Sequence, residues 1–390
     1  MTHLSDRISR VATSATMAMT QAARDLKAQG RDIISLSAGE PDFDTPVHIR
    51  DAAKAAMDAG QTRYTAVDGI AELKAAISAK FSRDNGLTYS ASQISVAPGG
   101  KPVIFNALAV LVGAGDEVIV PAPCWVSYPE MVRLCDATPI IVPCGADTDY
   151  KLTPDALAAA ITPRTKWLML NSPSNPTGAA YTSNELEALA NVLRDHPQIL
   201  ILCDDIYEHL VYDDFKFATM AEVAPDLFER TLTMNGVSKA YAMTGWRIGY
   251  AGGPDWLIGA MRKYIGQTTS NPCSISQWAA VAALNGPQDF LNDWRTAYAR
   301  RRDMMVQRLN GMKGLSCQAP PGAFYVFVDC SAVTDNDSDL AMSLLREQGV
   351  ATVPGSAFHA PGHLRFSYAA SDEELREACD RLEARFGRLS

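Results

Sequence analysis

Four polar segments follow apolar runs in this chain, and each carries more functional groups than a turn requires. They are Asn171-Ser-Pro-Ser-Asn-Pro-Thr-Gly178, Asp204-Asp-Ile-Tyr207, Asn235-Gly-Val-Ser-Lys239 and Thr244-Gly-Trp-Arg247. Lys239 lies between Ser238 and the apolar stretch Ala240-Tyr-Ala-Met243, so it is expected to be less solvated than a surface lysine. An amine withdrawn from water becomes partly neutral near pH 7, and therefore nucleophilic. Asp204 follows Ile199-Leu-Ile-Leu-Cys203 and reads as a carboxylate at the end of a buried strand. A helix N-cap is its plainer alternative. Asp205 should face the other way, because side chains alternate along an extended chain. A fifth segment, Pro98-Gly-Gly-Lys101, opens an apolar helix candidate. Gly99 and Gly100 would offer free amides where a helix dipole favours an anion. Ser238 adds a hydroxyl and Arg247 a guanidinium that binds oxyanions in bidentate fashion. Taken singly, each has an ordinary reading. Asn175 is a turn residue before proline, Tyr207 and Trp125 are core aromatics, Gly99-Gly100 is a loop and Arg247 a surface charge.

Groups so far apart in the chain need a scaffold that brings them to one place. In a parallel sheet, ligands bind at the carboxyl ends of the strands. Strands are expected over residues 117–120, 166–170, 199–203, 231–234 and 247–251, with helices over 47–59, 101–112 and 184–193 between them. Near-continuous apolar runs separated by helices predict an α/β fold whose mostly parallel sheet is covered on both faces. The last hundred residues have α+β texture. They hold a long charged helix over 289–309, strands at 322–329 and 362–368, and helices at 339–348 and 372–385. The first forty residues are too few for a domain and are expected to pack on that unit. The boundaries expected are a large domain over 46–280 and a small one built from 1–45 and 281–390.

The 390 residues are 47% hydrophobic and 20% charged, which excludes a disordered chain. The sum of 35 basic and 44 acidic residues is −9, which argues against non-specific nucleic-acid binding. The longest apolar runs are too short for a membrane span, and the first residues lack the apolar core of a secretory signal. The eight cysteines form no Cys-x-x-Cys pair and read as small hydrophobes in a reducing compartment, so cytoplasm is expected. There is no Gly-x-Gly-x-x-Gly fingerprint, no P-loop and no Gly-x-Ser-x-Gly elbow. His359-Ala-Pro-Gly-His363 cannot share a helix face across Pro361 and Gly362, and no metal site is expected.

The ordered set Asn175-Pro-Thr-Gly178, Asp204-x-x-Tyr207, Ser238-Lys239 and Arg247 resembles the class I, fold-type I pyridoxal-phosphate aminotransferases. Ser37-Ala-Gly-Glu-Pro-Asp-Phe-Asp-Thr-Pro46, Pro123-Cys-Trp-Val-Ser-Tyr-Pro129 and Ala240–Tyr250 are similar to the bacterial aspartate aminotransferase subgroup. The likeness spans nearly the whole chain and implies a seven-stranded sheet in the large domain. It implies pyridoxal 5′-phosphate as cofactor, with Lys239 linked to its aldehyde and Asp204 paired with its ring nitrogen. A buried carboxylate there keeps the nitrogen protonated, and the ring then accepts electrons from the substrate Cα. Asn175 and Tyr207 match the pair that contacts the phenolic oxygen, and Trp125 the aromatic stacked on the ring. Gly99, Gly100, Lys101, Ser238 and Arg247 fall at phosphate-side positions. Tyr64 matches a tyrosine that reaches the phosphate from the neighbouring subunit, which implies a homodimer.

For the substrate, the resemblance implies that Arg365 in His363-Leu-Arg-Phe-Ser-Tyr368, with Gly39, holds the α-carboxylate. Lys101 and Thr16 match positions that hold a distal carboxylate. Aspartate or glutamate is therefore the implied donor and 2-oxoglutarate or oxaloacetate the acceptor, in a ping-pong cycle through pyridoxamine phosphate. Asn271 stands where relatives often carry serine. A lysine on a flexible stem can swing aside, so aromatic or prephenate transamination is an alternative. The same fold also hosts lyases, decarboxylases and racemases.

Overall fold

The apolar runs pair into one seven-stranded sheet in the computed structural model, which describes residues 3–389. Its strands are β1 (Ile94–Ala97), β2 (Glu117–Ala122), β3 (Thr138–Pro143), β4 (Thr165–Asn171), β5 (Leu200–Asp204), β6 (Thr231–Gly236) and β7 (Gly249–Gly252). The spatial order is β1-β7-β6-β5-β4-β2-β3. β7 runs antiparallel to both neighbours, and the other pairs are parallel. Alternation along the central strands feeds two separate cores. Val118, Val120, Trp167, Met169 and Leu202 face one side, and Ile119, Leu168, Leu170, Ile201 and Cys203 the other. Both faces of a parallel sheet must be covered, which is why these runs are apolar without a break.

Two strands of this sheet are absent from the sequence expectation. β1 is four residues long, and β3 contains Pro139 and Pro143. Proline is tolerated in β3 because that strand forms the edge of the sheet. β7 begins two residues later than expected, because Arg247 takes a left-handed turn with φ of 58°. β7 also runs unusually close to its surroundings. A Cβ on Gly249 would strike the Gly99–Gly100 backbone, and one on Gly252 would strike the Tyr89 ring.

A second, antiparallel sheet joins β8 (Tyr325–Asp329), β9 (Val353–Pro354) and β10 (His363–Ser367) in the order β9-β10-β8. Ile34–Ser35 pairs in parallel with Val350–Ala351, which ties the early chain to its last hundred residues. Met19, Ile34 and Leu36 share a core with Tyr325, Val326, Leu364, Phe366, Leu375 and Leu382. The long charged helix runs over Phe290–Asn310. The helix expected over 339–348 is α-helical only at Asp337–Ser343, then widens into a π-turn over Leu344–Gln348 that ends at Gly349 with φ of 68°. All eight cysteines are free; Cys273 departs from the expected burial and is exposed. Among the described residues, no helix is long and apolar enough to cross a membrane.

Candidate active site

The carboxyl ends of β4, β5 and β6 lie side by side and open on a cleft of about 880 Å³. Its far walls are the helix Ala15–Ala28, the Gly39 turn and residues of β8 and β10. Local bonds fix the strand ends. Asn171 closes β4, donating from Nδ2 to the Asp204 carbonyl at 2.8 Å and accepting at Oδ1 from the Asn175 amide at 2.8 Å. This fold-back brings Asn175 into the cleft instead of leaving it on a surface turn.

Asp204 is only 4% exposed. Tyr128 donates to its Oδ2 at 2.6 Å and the Ile206 amide to its Oδ1 at 3.3 Å. Burial raises its pKa to about 6, while these two bonds and the Lys239 charge pull it down. Asp205 turns to the opposite side, as alternation requires, and is buried near Thr219 and Glu208, where desolvation lifts its pKa well up. Lys239 follows β6 and is half-buried, with Nζ donating to the Gly39 carbonyl. Burial lowers its pKa to about 8; Arg365 and Arg247 push the same way, and Glu40 and Asp204 oppose them. The cleft thus holds an amine that becomes half neutral near pH 8 together with a buried carboxylate.

One end of the cleft is built for an anion. Gly99 has φ of 103°, and the helix Gly100–Ala109 starts with no side-chain cap on its first amides. The Arg247 guanidinium occupies the space a Cβ on Gly99 would need, and its Nη1 donates to the Thr244 carbonyl at 2.7 Å. Lys101 lies over the Trp125 ring at 5.0 Å. Its side chain is reached by solvent, yet the cleft wall lowers its pKa, burial first and Arg247 second. Ser238 is buried at the same end, and Trp125 stands edge-on to Tyr128 at 5.3 Å. Free amides, an arginine and a hydroxyl are the donor set a phosphate needs.

At the other end Arg365 projects from β10, 1% exposed, while Leu364 and Phe366 point into the core. Its Nη1 donates to Asn175 Oδ1 at 2.8 Å and its Nη2 to the Ser37 carbonyl at 2.6 Å. Its Nε is buried with no partner among the described residues. A carboxylate entering there meets a guanidinium already held flat. Tyr207 and Tyr325 hydroxyls lie 2.7 Å apart beside it.

Gly39, Gly100, Lys101, Trp125, Asn175, Asp204, Tyr207, Ser238, Lys239, Arg247, Arg365 and Thr16 all line this cleft. Gly99 lies directly behind it against Arg247. Tyr64 does not line it and is 92% exposed. Sequence reasoning missed Tyr128, Tyr325 and Glu40, all of which line the cleft. Tyr128 had a signal, standing one helical turn after Trp125 on Ser127–Leu134. Tyr325 had none, because in Phe324-Tyr-Val-Phe327 it reads as a core strand aromatic. Asp84, Glu208 and His209 have ligand atoms within 4.8 Å of one another, but the fully buried Lys80 ammonium already pairs with Glu208.

A sequence model described as aminotransferase class I and II matches residues 31–382. An aspartate/prephenate aminotransferase of Cereibacter sphaeroides is 57% identical, over 98% of each chain. Among solved structures, the aspartate aminotransferase of Rhizobium meliloti superposes with a TM-score of 0.96 at 49% identity, over 100% of both chains. That of Thermus thermophilus, solved with maleate, gives 0.94 at 44% identity, over 98% of this chain and 100% of that one.

Proposed function

The chain belongs to the class I and II aminotransferases, and from that membership we propose that it moves the amino group of aspartate or glutamate to a 2-oxo acid such as 2-oxoglutarate, with pyridoxal 5′-phosphate as cofactor. One observation carries the reading: a lysine amine and a buried carboxylate share a cleft bracketed by Arg247 and Arg365. Lys239 is the residue for the cofactor aldehyde, Asp204 for the ring nitrogen and Trp125 for the ring face. Asn175 and Tyr207 serve the phenolic oxygen. Gly99, Gly100, Lys101, Ser238 and Arg247 form the phosphate end, with Tyr64 of a second copy reaching in. When bound, the cofactor supplies an aldehyde that takes up the amino group and a ring that accepts the electron pair left at Cα.

The protein's own groups do the rest. Arg365 and Gly39 fix the α-carboxylate, and Lys101 and Thr16 the side-chain carboxylate, so the substrate Cα–H is presented in one orientation. Lys239, released from the aldehyde when the substrate amine takes its place and with its pKa depressed, would take that proton at Nζ and deliver it two atoms away, to the former aldehyde carbon. Asp204 holds a proton at the ring nitrogen through charge, and the Tyr128 bond keeps its carboxylate aimed. The reading carries a cytoplasmic homodimer, with residues 46–280 as the large domain and the two flanking segments as the small one.

The cofactor-loaded protein should convert aspartate and 2-oxoglutarate to oxaloacetate and glutamate in equal amounts. Lys239→Ala should keep fold and cofactor yet lose roughly a thousandfold or more in turnover. Near-normal turnover in that variant, or release of ammonia or carbon dioxide without amino transfer, defeats the reading. Prephenate is a second acceptor to assay, since the Cereibacter sphaeroides relative carries it in its name and Lys101 is solvent-reached on a flexible stem.

A further inference from the structure

Tyr325 touches both halves of the cleft and has no part in the roles above. Its side chain is fully buried at the start of β8, where its backbone pairs with Ser367, two residues beyond Arg365. Its ring face lies 4.4 Å from the Arg365 guanidinium, and its hydroxyl 2.7 Å from that of Tyr207. A Cβ on Gly39 would stand 2.5 Å from the Tyr325 hydroxyl, so only a glycine lets the N-terminal turn close over that oxygen. The Gly39 carbonyl is engaged by Lys239. The Tyr207 hydroxyl is the hydrogen-bond partner of the Tyr325 hydroxyl among the described residues, and either oxygen can be the donor.

Two phenols at this separation share one proton between them, and the other proton must point elsewhere. Resting on the aminotransferase reading, we propose that Tyr325 is a positioning residue with two separable duties: its hydroxyl donates to Tyr207 and so aims the Tyr207 proton at the cofactor's phenolic oxygen, and its ring holds the Arg365 guanidinium flat for the substrate carboxylate. The first duty acts on the cofactor and the second on the substrate. A guanidinium on an aromatic face, away from water, keeps its donors in one plane while its charge stays available.

The separation makes the test. In the holoenzyme, Tyr325→Phe keeps the ring and removes the hydroxyl. The pH midpoint of the bound cofactor's visible band should move up by about half a unit to one unit. Binding of succinate, an unreactive dicarboxylate, should stay within about twofold of wild type. Tyr325→Leu removes both parts, and succinate affinity should fall roughly tenfold. Thermal melting reports any general loss of packing. An unmoved band midpoint in Tyr325→Phe, whatever its melting temperature, or undiminished succinate binding in Tyr325→Leu, overturns the proposal. A wild-type protein without a lysine-linked band and without transfer from aspartate is a different result: the functional reading itself fails and takes this one with it.

Discussion

Asp204 is expensive to keep where it stands. Its ordinary pKa of 3.8 rises to about 6 because burial disfavours the charged form. Folding therefore favours its protonated state. The stability tied to this group is complete below pH 4 and is lost as pH climbs through about 6. Above that, holding the charge costs the cofactor-free chain up to about 3 kcal/mol. Asp204→Asn should melt at a higher temperature than wild type at pH 7.5, and the gap should close near pH 4. Melting curves of both proteins, stripped of cofactor, check this, and an equal melting temperature at pH 7.5 would speak against the burial argument. The same variant should lose activity, since an amide cannot hold a proton on the ring nitrogen by charge. The residue was legible in the sequence because a carboxylate directly after five apolar residues conflicts with ordinary strand composition. Tyr325 was illegible for the opposite reason: a tyrosine in an apolar context satisfies core packing, and only geometry reveals what its hydroxyl meets.

At the scale of elements, the anion end depends on how one turn meets one helix. Gly99 needs φ of 103°, which side-chain-bearing residues rarely adopt, and the space beside it is filled by the Arg247 guanidinium. Gly99→Ala adds backbone strain and displaces that cation. Cofactor affinity, followed by equilibrium dialysis, should fall by roughly tenfold or more, given strain of order 1–3 kcal/mol. Affinity equal to wild type would mean that neither the turn nor Arg247 serves the phosphate. The element pattern was largely readable, because buried parallel strands are apolar without interruption and the helix Ser183–Arg194 carries a Thr182–Glu185 capping box. What escaped were elements whose signal is overruled by place. β3 carries two prolines that an edge strand tolerates, and β1 is only four residues long.

At the scale of the whole molecule, Tyr64 is where the proposed homodimer can be tested. A tyrosine that is 92% exposed and does not line its own cleft has little to do in a monomer. If it completes the neighbour's phosphate end, two inactive variants should rescue each other. Co-expressed Tyr64→Ala and Lys239→Ala chains form hybrid dimers in which one site receives both defects and the other receives none. The mixture should regain turnover well above either variant alone. A mixture no better than the sum of its parts would confine Tyr64 to its own subunit. The expectation of a partner came only through resemblance to a family, since one sequence carries no record of its partner.

The glycines of β7 bear on how this protein would look to anyone mapping its tolerance to change. Gly249 is pressed against the turn that opens the anion end, and Gly252 against the Tyr89 ring, so neither position has room for even a methyl group. A saturation screen scored by growth would flag both as strongly as Lys239, although neither supplies a group to the chemistry. The damage at Gly249 would travel one backbone contact into the Gly99–Gly100 turn, and only an assay that separates protein abundance from specific turnover would sort such shape-critical positions from reactive ones.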